Sequence, residues 1–188
     1  MNILSIFGGP RKKGNTATVL NWVEEELRSA GHQVERIGTS GLSVAGCSGC
    51  WACAEVTDAP GCVIDDYAQP IFSKMIAADC ILFASPLYSW GFAAQIKPLI
   101  DRCVCLVTGY GEPEYASLIA NKRSGLIVTC GGQLEGNANL IQGIYKHIVE
   151  YYGLVSAKEL IVPNCTEPDQ LSEEVKGQAR AFAHQLVV

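Results

Sequence analysis

The chain has 188 residues, 18% of them charged, with a net charge of −5. That length suits a single domain, residues 1–188, with a full hydrophobic core. The acidic balance, with no basic stripe beyond one early loop, disfavours nucleic acid as a partner. No apolar run reaches bilayer-spanning length, and no signal-peptide pattern precedes the first strand, so the expected setting is the cytoplasm, away from any membrane.

The apolar run Ile3–Phe7 predicts a first strand over 2–7, and Val19, Leu20, Val23 and Leu27 predict a helix from about 14 to 30. Between them lies the Gly-rich basic turn Gly8-Gly9-Pro10-Arg11-Lys12-Lys13-Gly14-Asn15-Thr16. A strand, such a turn and a helix N-terminus form an anion cradle: free backbone N–H groups, the positive helix end and short polar side chains converge there. Gly9, four residues, then Gly14-Asn15-Thr16 nearly spells the triphosphate loop GxxxxGK[ST], but Asn15 stands where lysine is needed. A GxGxxG dinucleotide spacing is also missing. A single terminal phosphate, as on a mononucleotide, suits the turn best. The plain alternative is a solvent turn with a helix cap at Asn15 or Thr16.

Further along, residues 32–37 alternate as a second strand, and 38 to about 65 read as irregular. Asp66 with Gln69 resembles a helix cap opening a helix to about Ala77. A buried third strand spans 79–84, followed by the turn Ser85-Pro86-Leu87-Tyr88-Ser89-Trp90-Gly91 and a helix from about 93 to 105. Residues 125–129 form a fourth strand, and the Gly-rich turn Thr129–Asn137 leads into a helix ending near Tyr152. A fifth strand lies within 154–162, and the last helix runs over 168–186.

Five strands alternating with five helices predict a three-layer α/β sandwich around a parallel sheet. Strands two and five carry Glu35, Arg36, Lys158 and Glu159, whereas one, three and four are more continuously apolar. Buried strands tolerate charge poorly, which fits the flavodoxin-like order 2-1-3-4-5. Ligands in such sheets sit beyond the C-terminal strand ends, at the switch between strands one and three. Three loops end there: 8–16, 85–91 and 130–137. The second mixes apolar surface, aromatic faces and exposed backbone, which suits a flat heteroaromatic ring. The third adds backbone contacts through Gly131, Gly132 and Gly136. Tyr88 and Trp90 could otherwise simply cap the sheet edge.

The segments Gly9–Thr16, Pro86-Leu87-Tyr88 and Lys97-Pro98-Leu99-Ile100-Asp101-Arg102 resemble the NADPH-dependent FMN reductase group of flavodoxin-like proteins, in order and spacing over nearly the whole chain. The resemblance implies FMN bound noncovalently, its phosphate on loop one and its ring against loop two. It also implies a homodimer or homotetramer in which a neighbouring subunit completes the flavin site. The group usually has Ser where this chain has Gly9, which leaves more of the phosphate to Arg11, Asn15 and Thr16. Lys97 and Asp101, four apart on one helix, read as an ion pair or a subunit contact.

Nine cysteines are many for this length, and an odd number in a chain without a route to an oxidising compartment does not suggest a disulfide framework. Cys80, Cys103, Cys105 and Cys130 lie in apolar stretches and read as core, while Cys165 carries no signal. Cys47, Cys50 and Cys53 form CxxCxxC, and Cys62 closes the segment. This segment resembles that of iron–sulfur flavoproteins, relatives within the same group, which hold a 4Fe–4S cluster on four thiolates. The eight residues before Cys62 are more than that family usually has. Structural zinc and free thiols are the alternatives.

Together these observations predict an FMN-dependent oxidoreductase. It would take electrons from NADPH or NADH, or from a reduced partner, and deliver them to a redox partner or small-molecule acceptor, with a 4Fe–4S cluster as a possible second centre. Catalysis rests on the cofactor, so no acid or base is assigned. A non-enzymatic flavodoxin-like electron carrier is the main rival. A phosphoryl-transfer enzyme is a weaker one, given Asn15 and the lack of a magnesium-binding acid after strand three.

Overall fold

The computed structural model describes every residue except 111, 112 and 114. Five strands form the predicted parallel sheet: β1 (Asn2–Phe7), β2 (Gln33–Gly38), β3 (Cys80–Tyr88), β7 (Arg123–Thr129) and β8 (Val155–Val162), in the order β2-β1-β3-β7-β8. In the chain order of these five strands, that is 2-1-3-4-5. The two-residue strand β4 (Gly91–Phe92) folds back antiparallel on the end of β3, pairing Leu87 with Phe92 and Tyr88 with Gly91. A small separate ladder joins β5 (Val107–Thr108) to β6 (Ala116–Ser117).

Helices cover both faces. α1 (Asn15–Ser29) and α5 (Glu173–Val187) lie on one side, over a core that includes Val19, Leu20, Phe182 and Leu186. α2 (Ala68–Ala77), α3 (Lys97–Arg102) and α4 (Asn139–Tyr152) lie on the other, around Phe72, Met75, Leu99 and Tyr145. The sheet is the middle layer because its central strands are apolar on both faces: β1 buries Ile3, Leu4, Ile6 and Phe7 without alternation.

The charges on edge strand β2 are met by helices on opposite faces, as the period-two alternation of a strand requires. Arg36 Nε donates to buried Glu24 on α1 at 2.8 Å, while Glu35 pairs with Lys74 on α2. At the other edge, Glu159 accepts from Gln142 at 2.6 Å.

Three expectations change. The single turn over 85–91 is instead a continuation of β3 to Tyr88 and a two-residue hairpin loop, Ser89-Trp90, with φ of 48° and 61°. Positive φ at both central positions gives the turn a twist that matches its strands. The helix over 93–105 shortens to α3 plus a 3₁₀ turn at Cys103–Leu106, with Pro98 at its start. Asp66 does not form the expected reciprocal cap with Gln69. Its Oδ1 accepts from Ala68 N at 2.9 Å, whereas the Gln69 amide donates to Cys62 O and Ile64 O.

Candidate functional site

Two cavities collect the residues singled out above. The first lies at the C-terminal end of the sheet, at the switch between β1 and β3. It measures about 90 Å³ and is lined by loop one (Gly9, Pro10, Arg11, Gly14, Asn15, Thr16), by Pro86, Leu87 and Tyr88 at the end of β3, and by Thr129, Cys130 and Gly131 after β7. Phe7 and Cys165 complete its wall.

α1 begins at this cavity with Gly14 as N-cap and no side-chain cap, and its first turn holds no acidic residue. The positive helix end is therefore available to an anion from outside. Asn15 and Thr16 are not caps but buried first-turn residues, each 4% exposed. The Asn15 amide oxygen is buried without a hydrogen-bond partner. Thr16 Oγ1 and Thr129 Oγ1 share a hydrogen bond of 2.7 Å, which locks the helix start to the end of β7. Arg11 is exposed at the cavity wall and makes a loose contact to Glu167 at 3.8 Å.

Gly9 has a reason in packing: a Cβ there would lie 2.5 Å from the tip of the Phe7 ring. The phenyl ring thus occupies the space that a side chain at position 9 would need. On the second loop, Ser85 Oγ donates to Pro86 O at 2.8 Å and accepts from Ala93 N at 3.0 Å, which fixes the strand end carrying Leu87 and Tyr88.

Not every predicted residue reaches this wall. Lys13 is exposed and does not line the cavity. Ser89, Trp90 and Gly91 sit at the hairpin end, with Trp90 58% exposed. Gly132 packs beneath Asn137, and Gly136 takes φ of 68° in the turn before α4. Thr129, Cys130 and Cys165 are wall residues that the sequence did not mark as ligand contacts. Their signal was positional only: each follows or ends a strand at the C-terminal edge.

The second cavity, about 120 Å³, is lined by Cys47, Cys50, Cys53 and Cys62 together with Trp51, Ile64, Arg102, Val104 and Cys105. Cys47 and Cys50 are exposed, Cys53 and Cys62 half-buried, and all nine cysteines are free thiols. Among the described residues, no three His, Cys, Asp or Glu side chains converge on a point that one metal ion would occupy. All four cysteines instead line the one cavity. A hydrogen bond from Ala52 N, then one from Ser48, holds the Cys50 thiol below its ordinary pKa, while burial, reinforced by Cys62, Cys50 and Cys47, pushes Cys53 up. Burial pushes Cys105, deeper in the wall, up to about 12. Trp51 adopts φ of 61°, and its ring packs tilted against Tyr110 with centroids 5.2 Å apart.

Gly61 brings the two arms of this segment together. A Cβ at Gly61 would lie 2.7 Å from Cys53 Cα and 2.8 Å from Val56 Cβ, so only glycine permits the approach. Beneath the cavity Arg102 is buried and its Nη1 grips both Asp66 oxygens at 2.7 and 2.6 Å. Burial opposes the Asp66 charge, but the hydrogen bonds from Arg102, Ala45 and Ala68 outweigh it and hold the carboxyl below its usual range. The sequence grouped Arg102 with Lys97 and Asp101. The structure separates them: Lys97 and Asp101 pair on the surface at 2.7 Å, while Arg102 turns inward to the cysteine segment.

With the geometry established, comparison with known proteins gives consistent matches. The family model described as NADPH-dependent FMN reductase matches residues 1–167. The chain is 34% identical over 145 residues to an iron–sulfur flavoprotein of Methanosarcina thermophila, covering 77% of this chain and 71% of that one. An iron–sulfur flavoprotein of Archaeoglobus fulgidus is 28% identical over 155 residues, with 82% of this chain spanning 65% of that one. Among solved structures, an FMN-dependent NADH-azoreductase from Bacillus anthracis, in complex with FMN, superposes with a TM-score of 0.77 over 100% of this chain and 99% of that one, at 14% identity. At that identity the likeness concerns the fold.

Proposed function

The chain belongs to the NADPH-dependent FMN reductase family, and from that premise we propose that it moves electrons from NADPH or NADH through bound FMN to a redox partner or small-molecule acceptor. The supporting observation is the meeting of three loops at an uncapped helix start, with the Asn15 amide buried and its oxygen unpartnered. Such a cradle fits a phosphate group. FMN, when bound, supplies the hydride-accepting and electron-passing chemistry.

The chain's own residues bind and orient. The first-turn N–H groups of α1, with Asn15 and Thr16, hold the phosphate, and Arg11 balances its charge. Thr129 keeps Thr16 in place. Pro86, Leu87 and Tyr88 form the wall for the flat ring. Gly131 closes the opposite side, and the turn through Gly132 and Gly136 positions it. The Ser89-Trp90-Gly91 hairpin end, exposed beside this wall, is the part that a second subunit of a homodimer or homotetramer would cover.

Cys47, Cys50, Cys53 and Cys62 are assigned to a 4Fe–4S cluster. A cluster takes each sulfur on a different iron around a shared core, which accords with four cysteines lining one cavity. Such a cluster, when bound, stores and passes single electrons. Nine free thiols accord with a reducing compartment, the cytoplasm.

The test is anaerobic. Protein loaded with FMN is mixed with NADPH or NADH, and the flavin absorbance should bleach with either or both. Failure with both, alongside reduction by dithionite, moves the protein to the flavodoxin-like carriers. Iron and sulfide should each reach about four per chain after anaerobic reconstitution.

A further inference from the structure

The cysteine segment has no long helix or strand of its own, yet both of its arms meet one buried cation. Arg102 is 1% exposed. Its Nη1 donates to Ala45 O at 3.3 Å and to the Asp66 carboxylate. Its Nη2 donates to Ile64 O at 3.0 Å and to Cys62 Sγ at 3.3 Å. Asp66 returns the link to the other arm by accepting from Ala45 N at 2.8 Å. Position 45 precedes the first of the four cysteines and positions 62–66 hold the last, so one guanidinium closes the loop that carries all of them. The Phe72 ring, 5.7 Å from the guanidinium carbon, backs it from the core.

We propose that Arg102 is the positioning residue of the cysteine centre: it holds the four sulfurs around their cavity before any metal arrives, and its Nη2–H bond to Cys62 Sγ raises the electron affinity of the cluster bound there. The second half of this inference rests on the reading of the four cysteines as cluster ligands. The physical basis is twofold. Closing a long irregular loop costs entropy that a preformed tie removes from the metal-binding step. A hydrogen bond donated to a ligand sulfur withdraws negative charge from it, and such bonds tune iron–sulfur potentials. Among the described residues, Cys62 is the only one of the four that accepts from a charged side chain; Cys47 accepts from Gly49 N at 3.5 Å. The planar fork matters, because a lysine can meet Asp66 but cannot also reach Ile64 O and Cys62.

The experiment compares wild type with R102K, which keeps the charge opposite Asp66, and with R102Q, on full-length protein with FMN bound. Two readouts are taken that do not depend on turnover. One is alkylation of Cys53 by iodoacetamide in metal-free protein, resolved by mass spectrometry; Cys53 is not among the hydrogen-bond partners of Arg102 and reports the release of the loop. The other is the midpoint potential of the reconstituted cluster, followed by its electron paramagnetic resonance signal. Equal FMN content establishes that a variant is folded, and R102K carries the test if R102Q fails that check.

In R102K, Cys53 should react roughly fivefold faster, as a locally opened loop does. The cluster should hold its electron about tenfold more weakly, a fall of about 59 mV for a one-electron couple. Wild-type labelling and wild-type potential together overturn the proposal. Faster labelling with an unchanged potential overturns the role at sulfur and leaves Arg102 a structural clasp. If wild type takes up no iron, the cluster reading itself fails, and labelling alone decides the clasp: an unchanged Cys53 rate overturns it and a faster one upholds it.

Discussion

The two cavities are built in opposite ways. The cradle at the sheet end is made of backbone: three strand ends and one helix start bring Gly9, Asn15, Tyr88 and Gly131 together, and a side-chain tie from Thr16 to Thr129 fastens the helix start to β7. The cysteine cavity is made of side chains. Its segment has one short 3₁₀ turn, Ala52–Glu55, and its arms are held by Arg102, Asp66 and the close approach at Gly61. A site on regular elements inherits their rigidity, whereas a site on an irregular loop depends on a few specific contacts. Damage should therefore be concentrated at single residues in the second region and spread out in the first.

The largest expected effect is at the clasp. Asp66→Ala leaves the Arg102 guanidinium buried and unpaired, which should cost about 3–5 kcal/mol of stability in a urea titration. A loss under about 1 kcal/mol would mean that water reaches the guanidinium and that the segment is held by something else.

In the cradle, Asn15→Ala with Thr16→Ala should weaken FMN binding by roughly 2–4 kcal/mol, about 1–2 for each hydrogen bond to a charged group. The fold should survive, since the sheet and α1 remain. Unchanged affinity in a fluorescence titration would remove loop one from the phosphate.

Gly61→Ala sharpens the contrast further. The added methyl meets Cys53 and Val56 at less than contact distance and should cost roughly 1–3 kcal/mol, as overpacking does. Reconstituted iron content should fall while FMN affinity stays at the wild-type value. Equal losses of both would show that the two regions are not independent.

Acid should act on the clasp through Asp66, whose folded-state pKa is depressed. Its contribution is then fully present above the ordinary carboxylate value of about 3.9 and is lost as pH falls through the lower folded value. The stability difference between wild type and Asp66→Asn should be flat above about pH 5 and should shrink below about pH 4. A difference that instead grows toward low pH would contradict the sign of the shift.

The smallest effect belongs to the hairpin tip. Trp90→Ala removes a 58% exposed side chain and should change monomer stability by no more than about 0.5 kcal/mol. If gel filtration then shows a smaller assembly, the exposed tip is a subunit contact. If the assembly is unchanged, that contact lies elsewhere.

The sheet order was legible because burial on both faces leaves a compositional mark: Ile81, Leu82 and Phe83 cannot sit on an edge as Glu35 and Arg36 can. Loop one was legible because its glycines, cations and short polar residues are contiguous. So was the cysteine motif, and Lys97 with Asp101, since four residues is one helical turn. The extension of β3 to Tyr88 was hidden because Pro86 in the run reads as a break, although it stays in register with Thr129 of β7. What the sequence could not contain was any relation between distant positions. Thr16 meets Thr129, and Asp66 meets Arg102. Each is a contact between elements that share no local pattern, and side-chain direction at those contacts follows from packing of the layers. The chain alone determined which chemistry was present, because residue types and short spacings are local properties. Only the tertiary structure decided that one guanidinium from α3 closes the loop that carries the four thiols.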